Sequence, residues 1–181
     1  SLENITISQK YQVITANLVK DTNYFSCILQ DEANAPLRQE DFSFTLESAN
    51  GIIDYTNTPV GTTPVYYLPY QKEVAVISEQ TPVIHARLNT LRIMKGDQTT
   101  LSIKHIPSGQ NILRLPLTQY LLLSKIYNDI GEMSDQEYLD RQDSYTLLFF
   151  IQSSDTGIPK ICPRMQVNGW IIRLNNSELE S

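Results

Sequence analysis

Three carboxylates, Glu137, Asp140 and Asp143, cluster in one polar segment, and His85 and His105 are the two histidines that could serve them as a base. Paired carboxylates with an imidazole are the usual means of moving protons in hydrolytic chemistry. Asp140 and Asp143, three apart, would share a helix face, but any solvated acidic patch has that spacing. No nucleophile motif and no phosphate-cradling glycine loop accompanies them. The two histidines are not at metal-ligand spacing, and Asn128-Asp129-Ile130-Gly131-Glu132 lacks the alternating oxygen ligands of a calcium loop. The expectation is a non-enzymatic protein with no catalytic residue, no metal and no cofactor.

A second group of residues suits binding rather than catalysis. Tyr55, Tyr66, Tyr67 and Tyr70 crowd a passage that is broken by Pro59, Pro64 and Pro69. Such a passage reads as an irregular edge strand or a long surface loop, because proline removes ladder donors. Exposed tyrosines also give large contact area at low entropic cost, so a surface facing a partner protein or a glycan would have the same composition.

The elements that position these residues are mostly strands. Phe42, Phe44 and Leu46 alternate with polar neighbours before the Asn50-Gly51 turn, and Ile84, Ala86 and Leu88 alternate with His85, Arg87 and Asn89. Residues 101–106 and 112–117 flank Pro107-Ser108-Gly109-Gln110 in the manner of a hairpin, with Leu113, Leu115 and Leu117 toward the core. Residues 11–19 and 24–29, separated by a polar turn, read as a first hairpin. Residues 145–151 are apolar on both faces, as in a central strand covered on each side. Trp170 shares a face with Ile172 and Leu174 and reads as a core anchor. Residues 118–128 fit a short helix or a broken strand equally well.

One helix start is unambiguous. Ser134 followed by Glu137 forms a capping box, with Asp135 and Glu137 favourable in the first turn. Glu137 and Arg141, four apart, can pair, while Tyr138 and Leu139 give the helix an apolar edge. Arg141 and Arg173 could also pin that helix to the sheet through nearby carboxylates. Many short strands with this single excursion predict an all-β, two-sheet Greek-key sandwich of transthyretin-like type, with residues 1–8 a lead-in or linker remnant and residues 9–181 one domain.

The 181-residue chain carries a formal net charge of -6 and no basic run, which argues against nonspecific nucleic-acid binding. Its longest apolar runs fall far short of the roughly 20 residues that a membrane-spanning helix needs. Cys27 and Cys162 are either joined in a disulfide or stand as two buried thiols.

Gln136-Glu137-Tyr138-Leu139-Asp140-Arg141-Gln142-Asp143, then an apolar strand with Phe149-Phe150, then Asn168-Gly169-Trp170-Ile171-Ile172-Arg173-Leu174-Asn175-Asn176, resembles the fimbrillin-associated anchor proteins of Bacteroidales-type bacteria. The resemblance implies a cell-surface fimbrial protein of the outer membrane, with this chain similar to the C-terminal of two β-sandwich domains of a minor-fimbrium anchor. It implies a fimbrial subunit as partner and attachment through an upstream lipid anchor, since the first cysteine here, Cys27, lies inside a predicted strand. Tyr138, Trp170, Arg173, Asn175 and Asn176 belong to the resembling stretches and carry an architectural expectation. A fimbrial adhesion role by strand addition at an open sheet edge is the leading reading. A glycan- or host-protein-binding module using the tyrosine-rich passage is the alternative.

Overall fold

The computed structural model describes residues 21–48, 52, 54, 58, 60–61, 63–77, 81–127, 132–175, 177 and 179. Among them the strands are β1 (Thr22–Asp31), β2 (Phe42–Ser48), β3 (Val65–Tyr67), β4 (Gln71–Ile77), β5 (Thr81–Leu91), β6 (Thr100–His105), β7 (Gln110–Pro116), β8 (Ser144–Gln152), β9 (Lys160–Val167) and β10 (Trp170–Arg173). Helices α1 (Leu117–Tyr127) and α2 (Asp135–Arg141) lie between β7 and β8. The larger sheet runs β10-β9-β8-β1-β5-β4 and the smaller β3-β2-β6-β7. This is the two-sheet, mostly β sandwich that the strand alternation predicts.

The core forms because each inner strand sends alternate residues inward. Phe25, Cys27 and Leu29 of β1, Ile84, Ala86 and Leu88 of β5, and Tyr145, Leu147, Phe149 and Ile151 of β8 meet Phe44 and Leu46 of β2, Leu101 and Ile103 of β6, and Leu113 and Leu115 of β7. Each leucine, isoleucine and phenylalanine among them contributes about 1.5–3 kcal/mol when fully buried. Tyr145 stacks on Phe25 at 5.3 Å between ring centroids, which locks the β1–β8 junction from inside. The β6–β7 hairpin forms as expected, with a register shift at Ile103/Lys104.

Several expectations are corrected. Both edges of β1 are taken, by β5 antiparallel and by β8 parallel, so no edge is left for the hairpin expected with residues 11–19, a run outside the described residues. The Asn50-Gly51 turn is outside them too. A parallel β1–β8 pair needs a crossing connection, and α1 with α2 supplies it. The single helical excursion is therefore two helices. In the ambiguous segment Leu117, Thr118, Tyr120, Leu121 and Ser124 are buried, a helical spacing that outweighs its strand-like composition once the sandwich offers α1 a surface. β8 buries one face only: Leu148 and Phe150 on the other are half-exposed, because sheet two covers a single side.

Cys27 and Cys162 are free thiols. Cys27 faces the core from β1, Cys162 lies on β9, and β8 runs between the two strands. A separation of two strand spacings, about 9–10 Å, exceeds the reach of a disulfide.

Candidate functional site

The two lateral sides of the sandwich are built differently. One side is closed by the helices: α1 packs against β6, β7, β9 and β10, and α2 packs on α1. Ser134 accepts the Glu137 N–H at 3.2 Å and so caps α2, while the Glu137 carboxylate accepts from Arg141 at 2.7 Å on the same helix. Tyr138 and Leu139 are buried, and the Tyr138 hydroxyl meets Ser124 Oγ of α1 at 2.7 Å.

Polar contacts tie α2 to the loop after β5. Arg92 donates to both carboxylate oxygens of Asp140 at 2.6 Å, and Gln136 donates to the same carboxylate at 2.8 Å while accepting the Lys95 N–H at 2.8 Å. The ammonium groups of Lys95 and Lys125 both reach Asp135 at 2.9 Å, and they hold its carboxyl down to about 2. Asn23 Nδ2 donates to the Gln142 carbonyl at 2.8 Å and Asn23 Oδ1 accepts from Ile93 at 3.0 Å, while Tyr24 donates its N–H to the Asp143 carbonyl at 3.0 Å. The octapeptide thus sits at the junction of α2, β1 and the end of β5. Helix pinning falls to Arg92, Lys95 and Lys125, not to Arg141, whose partner is on its own helix.

The C-terminal stretch is divided. Asn168 and Gly169, with φ of 49° and 88°, make the two-residue turn joining β9 to β10, a turn that requires left-handed backbone at both positions. Asn168 Oδ1 accepts the Thr146 N–H at 2.8 Å, and Tyr120 accepts the Asn175 N–H at 3.1 Å. Trp170 is 41% exposed and is not a core anchor: it opens a short edge strand, where only Ile172 and Leu174 reach inward. The exposed residue Arg173 lies opposite Arg164 of β9. Asn176 and Tyr55 lie outside the described residues.

The carboxylates proposed for proton chemistry do not converge, since Glu137 is spent on Arg141 and Asp140 on Arg92 and Gln136. A Ser–His contact that the sequence did not suggest occurs elsewhere, where Ser26 Oγ and His85 Nε2 are 2.7 Å apart on neighbouring strands. Arg87 lies 3.4 Å from His85 Nδ1 and pairs with Glu73 at 3.0 Å. A guanidinium only donates, so Nδ1 accepts and the ring proton resides on Nε2, directed at Ser26. That tautomer cannot take the serine proton, the reverse of a nucleophile–base pair. Burial, and then the Arg87 charge, push His85 below the usual imidazole range, with Glu73 opposing. His105 is buried beside Phe42, with Nδ1 at 3.0 Å from Ser108 in its own hairpin.

A cleft of about 240 Å³ opens at one end of the sandwich between Asp31, Leu37, Arg38, Asp41, His105 and Ser154. Asp31 Oδ1 is spent on the N–H groups of Ala33 and Ala35, and Asp41 faces Arg38. The cleft gathers polar groups that already have partners.

Among the described residues the opposite lateral side is open. Six strands face four, so β4 overhangs the smaller sheet. Register places Lys72, Val74 and Val76 on the same face as Ala86, Ile84 and Pro82, the face that carries the core, yet Val74 is 48% and Val76 69% exposed. Lys72 reaches across to the Phe42 carbonyl of β2 at 2.7 Å and bridges the two sheets at that corner. Tyr66, Leu68 and Tyr70 are exposed as well, and so is Ile77, on the other face of β4 from Val74 and Val76. Tyr67 departs from its neighbours: its ring packs against the core, and its hydroxyl accepts the Leu91 N–H at 3.4 Å. Period-two alternation could not reveal this overhang, because exposure of an inward-facing valine depends on where the other sheet ends.

Comparison with known proteins agrees with this architecture. Residues 1–176 match the family described as fimbrillin-A associated anchor proteins Mfa1 and Mfa2. The minor fimbrium anchoring subunit Mfa2 of Porphyromonas gingivalis is 25% identical over 140 residues, which is 77% of this chain and 40% of that protein. A crystal structure of a candidate adhesin from Bacteroides thetaiotaomicron superposes with a TM-score of 0.75 at 26% identity, covering 87% of this chain and 53% of the other. Another from the same organism, described as a candidate polysaccharide-binding protein, gives 0.68 at 25% identity, covering 88% and 53%. The chain therefore spans about half the length of these solved relatives and less of the curated one. With its sandwich and nearly its whole length matched, the chain belongs to the family of fimbrillin-A associated anchor proteins Mfa1 and Mfa2.

Proposed function

We propose that this chain is a non-enzymatic structural module of a cell-surface fimbria, which helps to anchor or assemble the polymer by taking a strand of a fimbrial subunit at an open sheet edge. The asymmetry of the sandwich carries this reading, supported by the family. Helices and ion pairs close one lateral side, while the other presents strand backbone and exposed valines. The polar cluster around Asp140 acts as a brace, and the octapeptide serves architecture. Cys27 does not bear a lipid in this reading, because it is buried in the core and burial pushes its thiol up to about 12. Outer-membrane attachment then comes from a lipid carried upstream of these strands.

The test is direct binding of a purified fimbrial subunit, from the gene cluster that encodes this chain, to the chain in solution. Saturable binding that survives loss of Glu137 and Asp143 carboxylates supports the proposal. No binding where a longer, two-domain protein does bind the subunit removes this module as the site.

A second reading is favoured by the exposure of Tyr66 and Tyr70, 62% and 59%, and by a relative described as polysaccharide-binding. In it the tyrosine surface holds a glycan or a host protein. Tyr66→Ala with Tyr70→Ala separates the two: lost glycan binding with intact fimbrial assembly selects the second reading.

A further inference from the structure

We infer that the acceptor edge is β4, and that its occupant is an extended, uncharged segment of a fimbrial subunit whose alternate apolar side chains continue the layer begun by Val74 and Val76. The inference rests on the strand-addition reading above and supplies what that reading leaves open, the edge and the chemistry of the donor.

The four sheet edges differ in how they are blunted. β3 is three residues long and β10 four, too short to template a stable strand. β7 carries an exposed Arg114, ends in Pro116 and passes directly into α1, which packs against it. β4 is seven residues long, and its distal half, Val74-Ala75-Val76-Ile77, has neither charge nor proline. Natural sheets guard an exposed edge of this kind with charge, proline or a bulge, and none of these stands on the distal half. Among the described residues, β4 pairs on one side only, with β5.

Charge defines the occupant. The charged residues at the start of β4 have partners within the chain, Lys72 on the Phe42 carbonyl and Glu73 on Arg87. Among the described residues of β4 no charge is left over to select a charged ligand, although the chain as a whole is at -6. A neutral strand complements it, while an acidic one meets repulsion. Backbone hydrogen bonds to β4 supply affinity, and side chains set beside Val74 and Val76 fix register and cover part of the overhang.

Hydrogen exchange of the chain with and without a purified fimbrial subunit tests the assignment. Amides of residues 71–77 are expected to gain protection of about tenfold or more on binding. Val74→Lys with Val76→Lys is expected to weaken binding about tenfold or more, while Ile171→Lys on β10 changes it less than about twofold. All three sites are exposed, and thermal unfolding of each variant verifies that it folds. Protection at β10 or β7, with binding indifferent to the β4 lysines, overturns the edge and leaves the fimbrial reading standing. Absence of binding by the wild-type chain overturns both. A β4-dependent dimer of the chain, with no subunit bound, overturns the subunit as occupant.

Discussion

The helix-closed side and the overhanging side of this sandwich face the same physical problem and meet it in opposite ways. Each ends a hydrophobic layer at a sheet margin. On the closed side α1 buries Leu117, Tyr120 and Leu121 over that margin, and Arg92, Lys95 and Lys125 hold α2 against it through Asp140 and Asp135. On the open side Lys72 reaches the Phe42 carbonyl and the Tyr67 hydroxyl accepts the Leu91 N–H across the sheets, while Val74 and Val76 remain in solvent. Apolar surface left exposed on one side, when the same chain covers the other so thoroughly, is the feature on which the proposed partner surface rests.

The contrast can be broken most severely from the closed side. Tyr138→Ala leaves a cavity beneath two helices and removes the Tyr138 hydroxyl from Ser124 Oγ, which keeps its bond to the Leu121 carbonyl, and we expect a loss of about 4 kcal/mol in unfolding free energy, read from denaturant melts. Arg92→Ala leaves the Asp140 carboxylate partly buried without its bidentate partner. The expected cost is about 2 kcal/mol, with added hydrogen exchange in α2 and the loop after β5. A cost near zero for Arg92→Ala would show that the brace is decorative.

A smaller effect concerns pH. His85 is held below the ordinary imidazole range in the folded chain, so the unfolded chain takes up its proton first as pH falls. His85 thus contributes stability that is fully present above about pH 6.5 and is lost as pH falls toward its folded value. His85→Gln should flatten the part of the stability profile below about pH 6.5, and an unchanged slope would place the titration elsewhere. The smallest effect on stability is expected at the open side, where Val76→Lys should shift unfolding free energy by no more than about 0.5 kcal/mol. Near-neutral stability with impaired subunit binding is the combination that sharpens the division between a side built for folding and a side built for a partner.

Much of the closed side was legible residue by residue. Ser134 as cap, Glu137 with Arg141, and Tyr138 and Leu139 as the apolar edge all follow from helical spacing and local hydrogen bonding. What faced that edge was not legible, because Arg92, Lys95, Asn23 and Ser124 are far away in sequence and nothing in their own surroundings points to α2. Trp170 misled for the same reason: its spacing with Ile172 and Leu174 identifies a face, but only the position of β10 at the sheet margin decides that the first residue of that face protrudes. α1 remained ambiguous until a surface existed for one of its two periodicities to pack on.

By itself the sequence determined the alternation that makes the strands, the hairpin turn at residues 107–110, the capped α2 and the family, because these depend on neighbours a few residues apart. Tertiary structure alone decided that β1 lies between β5 and β8, that the two cysteines are kept apart by β8, that Ser26 meets His85 in the unreactive tautomer, and that β4 overhangs. Each of these depends on which strands become neighbours and where a sheet stops, and that is settled by the burial of whole faces rather than by any local run of residues.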